Sequence, residues 1–148
     1  MTRHVLVLNG PNLGRLGTRE PEVYGTATHD DLVQACEATG RQVGLTVDVR
    51  QTDDEATYLT WVHDAAAGGV DAVVLNPAAW THTSIAVRDA VAMLAVPYVE
   101  VHLSNPLGRE EFRHVSYTAG KALGIVAGFG IDSYRLALRA LAAHLDET

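Results

Sequence analysis

The 148-residue chain has a single cysteine, Cys36, and a single lysine, Lys121; every other basic residue is an arginine. One cysteine excludes an intrachain disulfide. With no Cys or His pair at metal-ligand spacing, a structural zinc site is not expected either. Cys36 falls in a helical pattern and reads as a small buried hydrophobe. One lysine means that Schiff-base chemistry would have to use Lys121 or nothing. Positive charge is scarce overall, and the formal net charge is -7. That balance argues against nucleic acid, which proteins grip with basic patches, and gives no electrostatic attraction to anionic membranes. No apolar run approaches the roughly 20 residues needed to cross a bilayer. The start, Met1-Thr2-Arg3-His4, leads straight into a strand pattern, so no secretory signal is expected and a cytoplasmic location is. Internal repeats, low-complexity tracts and linker-like stretches are absent from the sequence as well.

What is present is an ordinary globular composition, 47% hydrophobic and 20% charged, in a chain of the length of one domain, 1–148. Apolar, β-branched runs at 4–8, 45–50, 70–76, 97–102 and 123–127 read as strands. They are near-continuous rather than alternating, as a sheet covered on both faces requires. Between them lie helical patterns. Residues 28–43 carry Leu32, Ala35, Cys36 and Val43, with Thr28 as N-cap and Asp30 and Asp31 in the first turn. Residues 54–67 carry Leu59, Val62, Ala65 and Ala66, and residues 84–94 carry Ile85, Val87, Ala90, Val91 and Leu94. Residues 133–145 close the chain with Leu136, Leu138, Leu141 and Leu145. Trp61 reads as core. The stretch after the fourth strand is shorter and more polar, centred on 110–114. Alternation of this kind implies an α/β three-layer sandwich with a parallel sheet and right-handed crossovers. Five strands favour the flavodoxin-like order 2-1-3-4-5.

Ligands of open α/β sheets bind beyond the carboxyl ends of the strands, near the point where strand order reverses. In this order that point lies between strands one and three, with strand four alongside. Three polar clusters follow those same strands, at 9–24, 76–84 and 102–113.

The first cluster is a loop too long for a strand-to-helix connection of about two to six residues. With no secondary structure expected inside it, its glycines and prolines still argue for a specific path. It presents Arg19 and Tyr24. A free tyrosine titrates near a pH of about 10 and is a poor base; a guanidinium nearby favours tyrosinate, and two units of lowering need roughly 2.7 kcal/mol. Tyr24 is thus either an Arg-assisted base or a surface ring packed on Pro21. In the second cluster, Asn76 stands at a strand's carboxyl end, where a ligand role is favoured. Thr81, Thr83 and Ser84 either hold an anion at the following helix or simply cap it. In the third, alternation puts Glu100 and His102 on one face of the strand. A carboxylate beside an imidazole fixes its tautomer and favours its protonated form, which suits a general acid. Arg109 and Arg113 follow, and either could reach an anion, while Arg109 could equally pair with Glu110 or Glu111 at the surface. Asp89, next to Arg88 within a helical pattern, reads as a surface charge. His29, His63, His114 and His144 carry no functional reading.

At this point the residues resemble a known family. Asn9-Gly10-Pro11-Asn12-Leu13-Gly14, Leu16-Gly17-Thr18-Arg19-Glu20-Pro21 and Tyr24-Gly25 are similar to the type II 3-dehydroquinate dehydratases. So are Leu75-Asn76-Pro77 with Thr81-His82-Thr83-Ser84, Arg88-Asp89-Ala90, Glu100-Val101-His102-Leu103-Ser104-Asn105, and Arg109-Glu110-Glu111-Phe112-Arg113. The chain departs from the commoner pattern at Pro106-Leu107-Gly108 and at Trp80. The resemblance implies a flavodoxin-like fold assembled as a homo-oligomer, a dodecamer built as a tetramer of trimers. It implies reversible dehydration of 3-dehydroquinate to 3-dehydroshikimate through an enolate, with no cofactor and no metal. The setting is the shikimate pathway, or quinate breakdown by the same reaction. By resemblance, Tyr24 is the base, Arg19 assists its ionisation, Asn12 holds a water at the enolate oxygen, His102 is the general acid and Glu100 orients it. Asn76, His82, Leu103, Ser104 and Arg113 match substrate-binding positions. Asp89 matches a residue that reaches a neighbouring subunit's site, which replaces the surface-charge reading. The unrelated type I enzymes use a Schiff-base lysine, and Lys121 falls outside every cluster.

Rival functions on the same fold lack their chemistry. A phosphoacceptor receiver needs an Asp where Asn76 stands and an acidic pair where Asn9 and Gly10 stand. A flavin loop would be rich in hydroxyls, and this one has only Thr18 before Tyr24; the Gly-Lys-Ser/Thr ending of a nucleotide-phosphate loop is missing. An inactive scaffold would not need Arg19, Tyr24 and His102 together.

Overall fold

The strands that occupy the middle of the sheet are the ones whose sequences show no alternation. The computed structural model describes residues 2–148; Met1, where the leader reading begins, lies outside them. β1 (Arg3–Asn9) is buried from Val5 onward, and β3 (Ala72–Asn76) and β4 (Tyr98–His102) are buried throughout. β2 (Leu45–Gln51) and β5 (Gly124–Ala127) are only partly covered and form the edges. The five strands pair in parallel in the order β2-β1-β3-β4-β5, as the alternation of patterns implies.

Each central strand sends alternate residues to opposite faces. Val5 and Val7 of β1, Val74 of β3, and Val99 and Val101 of β4 pack under α2 (His29–Val43) and α5 (Asp132–Asp146). Leu6, Leu8, Val73, Leu75 and Tyr98 pack under α3 (Glu55–Ala67) and α4 (Ile85–Val91). At the carboxyl ends the same parity puts Asn9 and Asn76 on the α2/α5 face, and Glu100 and His102 on the α3/α4 face. Helix starts follow their capping chemistry. The Thr28 hydroxyl accepts from the Asp31 N–H at 3.1 Å, and the Asp31 carboxylate accepts from the Thr28 N–H at 2.9 Å, a reciprocal capping box. Asp54 caps α3, and Ser84 caps α4 by accepting from the Val87 N–H at 2.9 Å. Capping is therefore the use made of Ser84.

The structure departs from the sequence expectations in several places. The long first loop does have secondary structure: a 3-10 turn at Leu13–Arg15 and a short helix, α1 (Pro21–Tyr24). Buried Leu13 and Leu16 pin it to the core, and Pro21 takes the first helical position that its fixed φ suits. α4 ends at Val91 rather than at 94, because the chain must turn into β4 and Pro97 disfavours helix before it. No α-helix fills the fourth crossover, which instead carries 3-10 turns at Pro106–Gly108, Glu111–Arg113 and Ala119–Lys121. Trp61 is only partly buried; the Arg50 guanidinium lies 5.7 Å from its ring centroid, and the core position on α3 belongs to fully buried Tyr58. Ile85 and Leu136, both on apolar stripes, are exposed. Cys36 is buried as expected, and burial pushes its thiol up to about 12. Among the described residues no helix is long and apolar enough to cross a membrane.

Candidate active site

In-register pairing brings Asn9 alongside Asn76, and Leu75 alongside Glu100, at the carboxyl ends of β1, β3 and β4. The loops leaving those ends enclose a cleft lined by Asn12, Arg19, Tyr24, Asn76, His82, His102, Leu103, Ser104, Arg109 and Arg113. Every site residue expected from sequence is therefore in the cleft wall except Glu100 and Asp89.

Glu100 sits directly behind the wall. It is 1% exposed, and its Oε2 lies 3.0 Å from His102 Nε2. Ser116 donates to the same carboxylate at 2.9 Å, and the Thr118 hydroxyl donates to its other oxygen. Burial by itself would raise the Glu100 carboxyl. The hydrogen bonds from His102 and Thr118, the His102 charge and the Ser116 bond outweigh it and hold the group below its ordinary value. With Nε2 committed to this carboxylate, Nδ1 is the ring nitrogen of His102 left for another partner. The His82 ring lies nearly parallel to that of His102, with centroids 6.3 Å apart. Its Nδ1 donates to the Val115 carbonyl at 2.8 Å. Burial holds the His82 imidazole below its ordinary value, partly offset by that carbonyl, while His102 and Arg113 add to the lowering. Burial thus favours the neutral His82 ring, whose Nδ1–H is committed to the Val115 carbonyl.

Tyr24 is held by cations. The Arg19 guanidinium carbon is 4.8 Å from its ring centroid and that of Arg109 is 5.1 Å away, within range of a cation–π contact. Arg109 also donates to Ser104 Oγ at 3.2 Å and lies 3.7 Å from Glu110, so the pairing with a neighbouring glutamate is present. Arg113 is clamped by Glu110, through Nε at 3.0 Å and Nη2 at 3.3 Å. The Leu103 carbonyl is taken up by the Gly130 N–H at 2.9 Å.

Three non-glycine residues among those described have positive φ: Asn12 at 70°, Glu20 at 38° and Ala78 at 53°. Two of them line the cleft, and the third adjoins Arg19. Such backbone is held only where its surroundings determine it. At Asn12 the determinant is Asp53, whose carboxylate accepts the Asn12 N–H at 2.8 Å and is itself braced by Gln51 at 3.1 Å. At Ala78 it is Asn76, whose Oδ1 accepts the Ala78 N–H at 3.1 Å. Neither Asp53 nor Gln51 had a signal in the sequence, because both act across 41 positions of the chain or nearly so. Asp89 lies on α4 outside the cleft of its own chain and pairs with Arg88 at 2.9 Å. The Thr81 hydroxyl is buried without a hydrogen-bond partner.

An imidazole held by a buried carboxylate, a tyrosine beside two guanidiniums and an array of amide and arginine donors suit proton transfer on a small anionic, hydroxylated molecule. Comparison with known proteins points the same way. The family model described as dehydroquinase class II matches residues 3–142. A 3-dehydroquinate dehydratase of Salinispora tropica is 63% identical over 139 residues, covering 94% of this chain and 96% of that protein. A 3-dehydroquinate dehydratase 2 of Pseudomonas aeruginosa is 53% identical over 146 residues, covering 99% and 98%. The type II dehydroquinase structure from Propionibacterium acnes superposes with a TM-score of 0.93 at 52% identity, covering 97% of this chain and 98% of that one.

Proposed function

We propose, from the premise that the chain belongs to the class II dehydroquinases and so dehydrates 3-dehydroquinate, that Tyr24 and His102 divide the proton transfers. Tyr24, as tyrosinate, removes a proton from the carbon next to the substrate ketone. The guanidiniums of Arg19 and Arg109 stabilise the phenolate charge and then the approach of the anionic substrate. The electron pair moves onto the ketone oxygen, giving an enolate, and Asn12 holds a water that donates to that oxygen. Collapse of the enolate breaks the carbon–oxygen bond one carbon further on. His102 protonates the departing hydroxyl, with Glu100 fixing the ring and balancing the imidazolium. The product is the conjugated enone 3-dehydroshikimate plus water. Asn76, His82, Ser104, Arg113 and the backbone around Leu103 bind the substrate's hydroxyl and carboxylate groups.

The observation that carries this reading is the pairing, in one cleft, of a glutamate-held histidine with a tyrosine between two guanidiniums. The working molecule is a homo-oligomer, a dodecamer arranged as a tetramer of trimers, in which Asp89 of one subunit completes the cleft of the next. Support comes from the position of Asp89, exposed on α4 beside exposed Ile85, with Met93, Phe112 and Val115 exposed as well. The setting is the cytoplasm and the shikimate pathway, with quinate breakdown as the alternative use of the same reaction.

The test is a turnover assay on the purified protein with 3-dehydroquinate alone, following ultraviolet absorbance of the enone. We expect a steady rise, reduced by roughly 10²–10⁴-fold in His102→Ala, in line with loss of a general acid, and by at least as much in Tyr24→Phe with KM little changed. A folded Tyr24→Phe variant with substantial activity would remove Tyr24 as the base.

A further inference from the structure

Beneath the cleft runs a chain of hydrogen bonds that takes no part in the proton transfers, and its direction is determined at one end. A backbone N–H only donates, so the Asn76 atom 3.1 Å from the Ala78 nitrogen is the oxygen. Asn76 Nδ2 therefore points away from Ala78, into the α2/α5 side, where it donates to the Tyr134 hydroxyl at 2.8 Å. Having accepted there, Tyr134 sends its one proton to Asn9 Oδ1 at 2.7 Å. That leaves Asn9 Nδ2 facing His29 Nε2 at 3.2 Å, and an amide nitrogen donates, so His29 accepts through an unprotonated Nε2. Burial lowers the His29 imidazole, with Asp30 opposing, which favours this neutral form. Asn9 and Tyr134 are 0% exposed and Asn76 3%, so no bulk water substitutes for a missing partner.

We infer that Tyr134 is a positioning residue for substrate binding: the Ala78 N–H sets which end of the Asn76 carboxamide faces where, the Tyr134 hydroxyl holds the carboxamide in that direction within the dry interior, and Asn9 and His29 hold the hydroxyl from behind. This rests on the proposed role of Asn76 as a substrate-binding residue. With Oδ1 taken once and Nδ2 taken once, Asn76 has left one N–H and one oxygen lone pair. That combination suits a hydroxyl group, which both accepts and donates, and is the wrong match for a bare carboxylate. Without the Tyr134 hydroxyl, Asn76 Nδ2 and Asn9 Oδ1 are left unsatisfied in a dry interior, and the carboxamide gains by rotating.

The experiment is a double-mutant cycle on the full-length protein with 3-dehydroquinate, measuring kcat and KM for Tyr134→Phe, Asn76→Ala and the pair. The expected result is that Tyr134→Phe raises KM about tenfold while kcat stays within about twofold, the size of one buried hydrogen bond lost at a binding group. Adding it to Asn76→Ala should raise KM no further. A KM increase that persists in the Asn76→Ala background overturns the inference, because Tyr134 would then be acting through general packing. So does an unchanged KM in Tyr134→Phe when Asn76→Ala raises it. If Asn76→Ala itself leaves KM unchanged, the binding role of Asn76 falls first and this inference with it. Asn9→Ala, which removes the acceptor of the Tyr134 proton, runs the same cycle should the Phe variant not fold.

Discussion

Glu100 is the residue on which folding and chemistry meet. Its carboxylate is buried, yet hydrogen bonds from His102, Ser116 and Thr118 keep it charged. The consequence for stability has a definite sign. Its folded value lies below the ordinary 4.5, so its contribution is complete above that value and is lost as pH falls through the lower folded one. His82, lowered by burial, adds acid sensitivity in the same direction, complete above its ordinary 6.5. We expect the urea midpoint of the protein to fall as pH is taken from about 5 to about 3, and to fall less steeply in Glu100→Gln. Equal slopes would mean that the carboxylate is not charged in the folded state. The Glu100–His102 pair was legible in the sequence because two residues apart on a strand share a face. Ser116 and Thr118 were not, since they reach Glu100 from the irregular fourth crossover, whose path no periodicity records.

The elements that could be read were those whose burial is written in their composition. β3 and β4 are covered on both faces and contain scarcely a polar residue outside the site itself, while Thr28, Asp54 and Ser84 mark helix starts by their hydrogen-bonding chemistry. The first loop was recognised as a site but not as a structured one, because a 3-10 turn and a four-residue helix are too short for a periodic signal. Its junction with β3 is closely fitted. A Cβ at Gly10 would lie 2.5 Å from the Pro77 carbonyl oxygen, whereas one at Gly14 would meet the end of the Gln51 side chain at 2.8 Å. Backbone cannot swing aside as a glutamine can. Gly10→Ala should therefore cost about 1–3 kcal/mol in a denaturant titration and at least tenfold in turnover, by parting the loops after β1 and β3. Gly14→Ala should cost clearly less in both measurements. Equal penalties would show that the contact with Pro77 is not what holds the two loops together.

At the scale of the whole molecule, strand order decides where the cleft lies. Order was inferable because a parallel sheet of alternating units has few topologies; a role for Asp89 beyond its own chain rests on the resemblance, because a single chain leaves it on the surface. If Asp89 serves a neighbour's cleft, two inactive variants should repair each other. Asp89→Ala and His102→Ala, each nearly inactive alone, should regain a measurable fraction of turnover when unfolded together and reassembled, since mixed interfaces restore some intact clefts. No recovery in mixed assemblies of the correct mass would keep Asp89 out of the site. The position of Tyr134 has a consequence for a growing chain. Synthesis proceeds from β1 onward, and each parallel strand must wait for its crossover before it finds its neighbour. Once residue 127 has emerged, every strand of the sheet is available, but the two carboxamides in the floor beneath the cleft still lack the hydroxyl that bridges them. The 15-residue helix α5 follows all five strands along the chain, and it brings that hydroxyl. A nascent chain thus acquires its sheet first and its ability to recognise a ligand only once α5 has joined it.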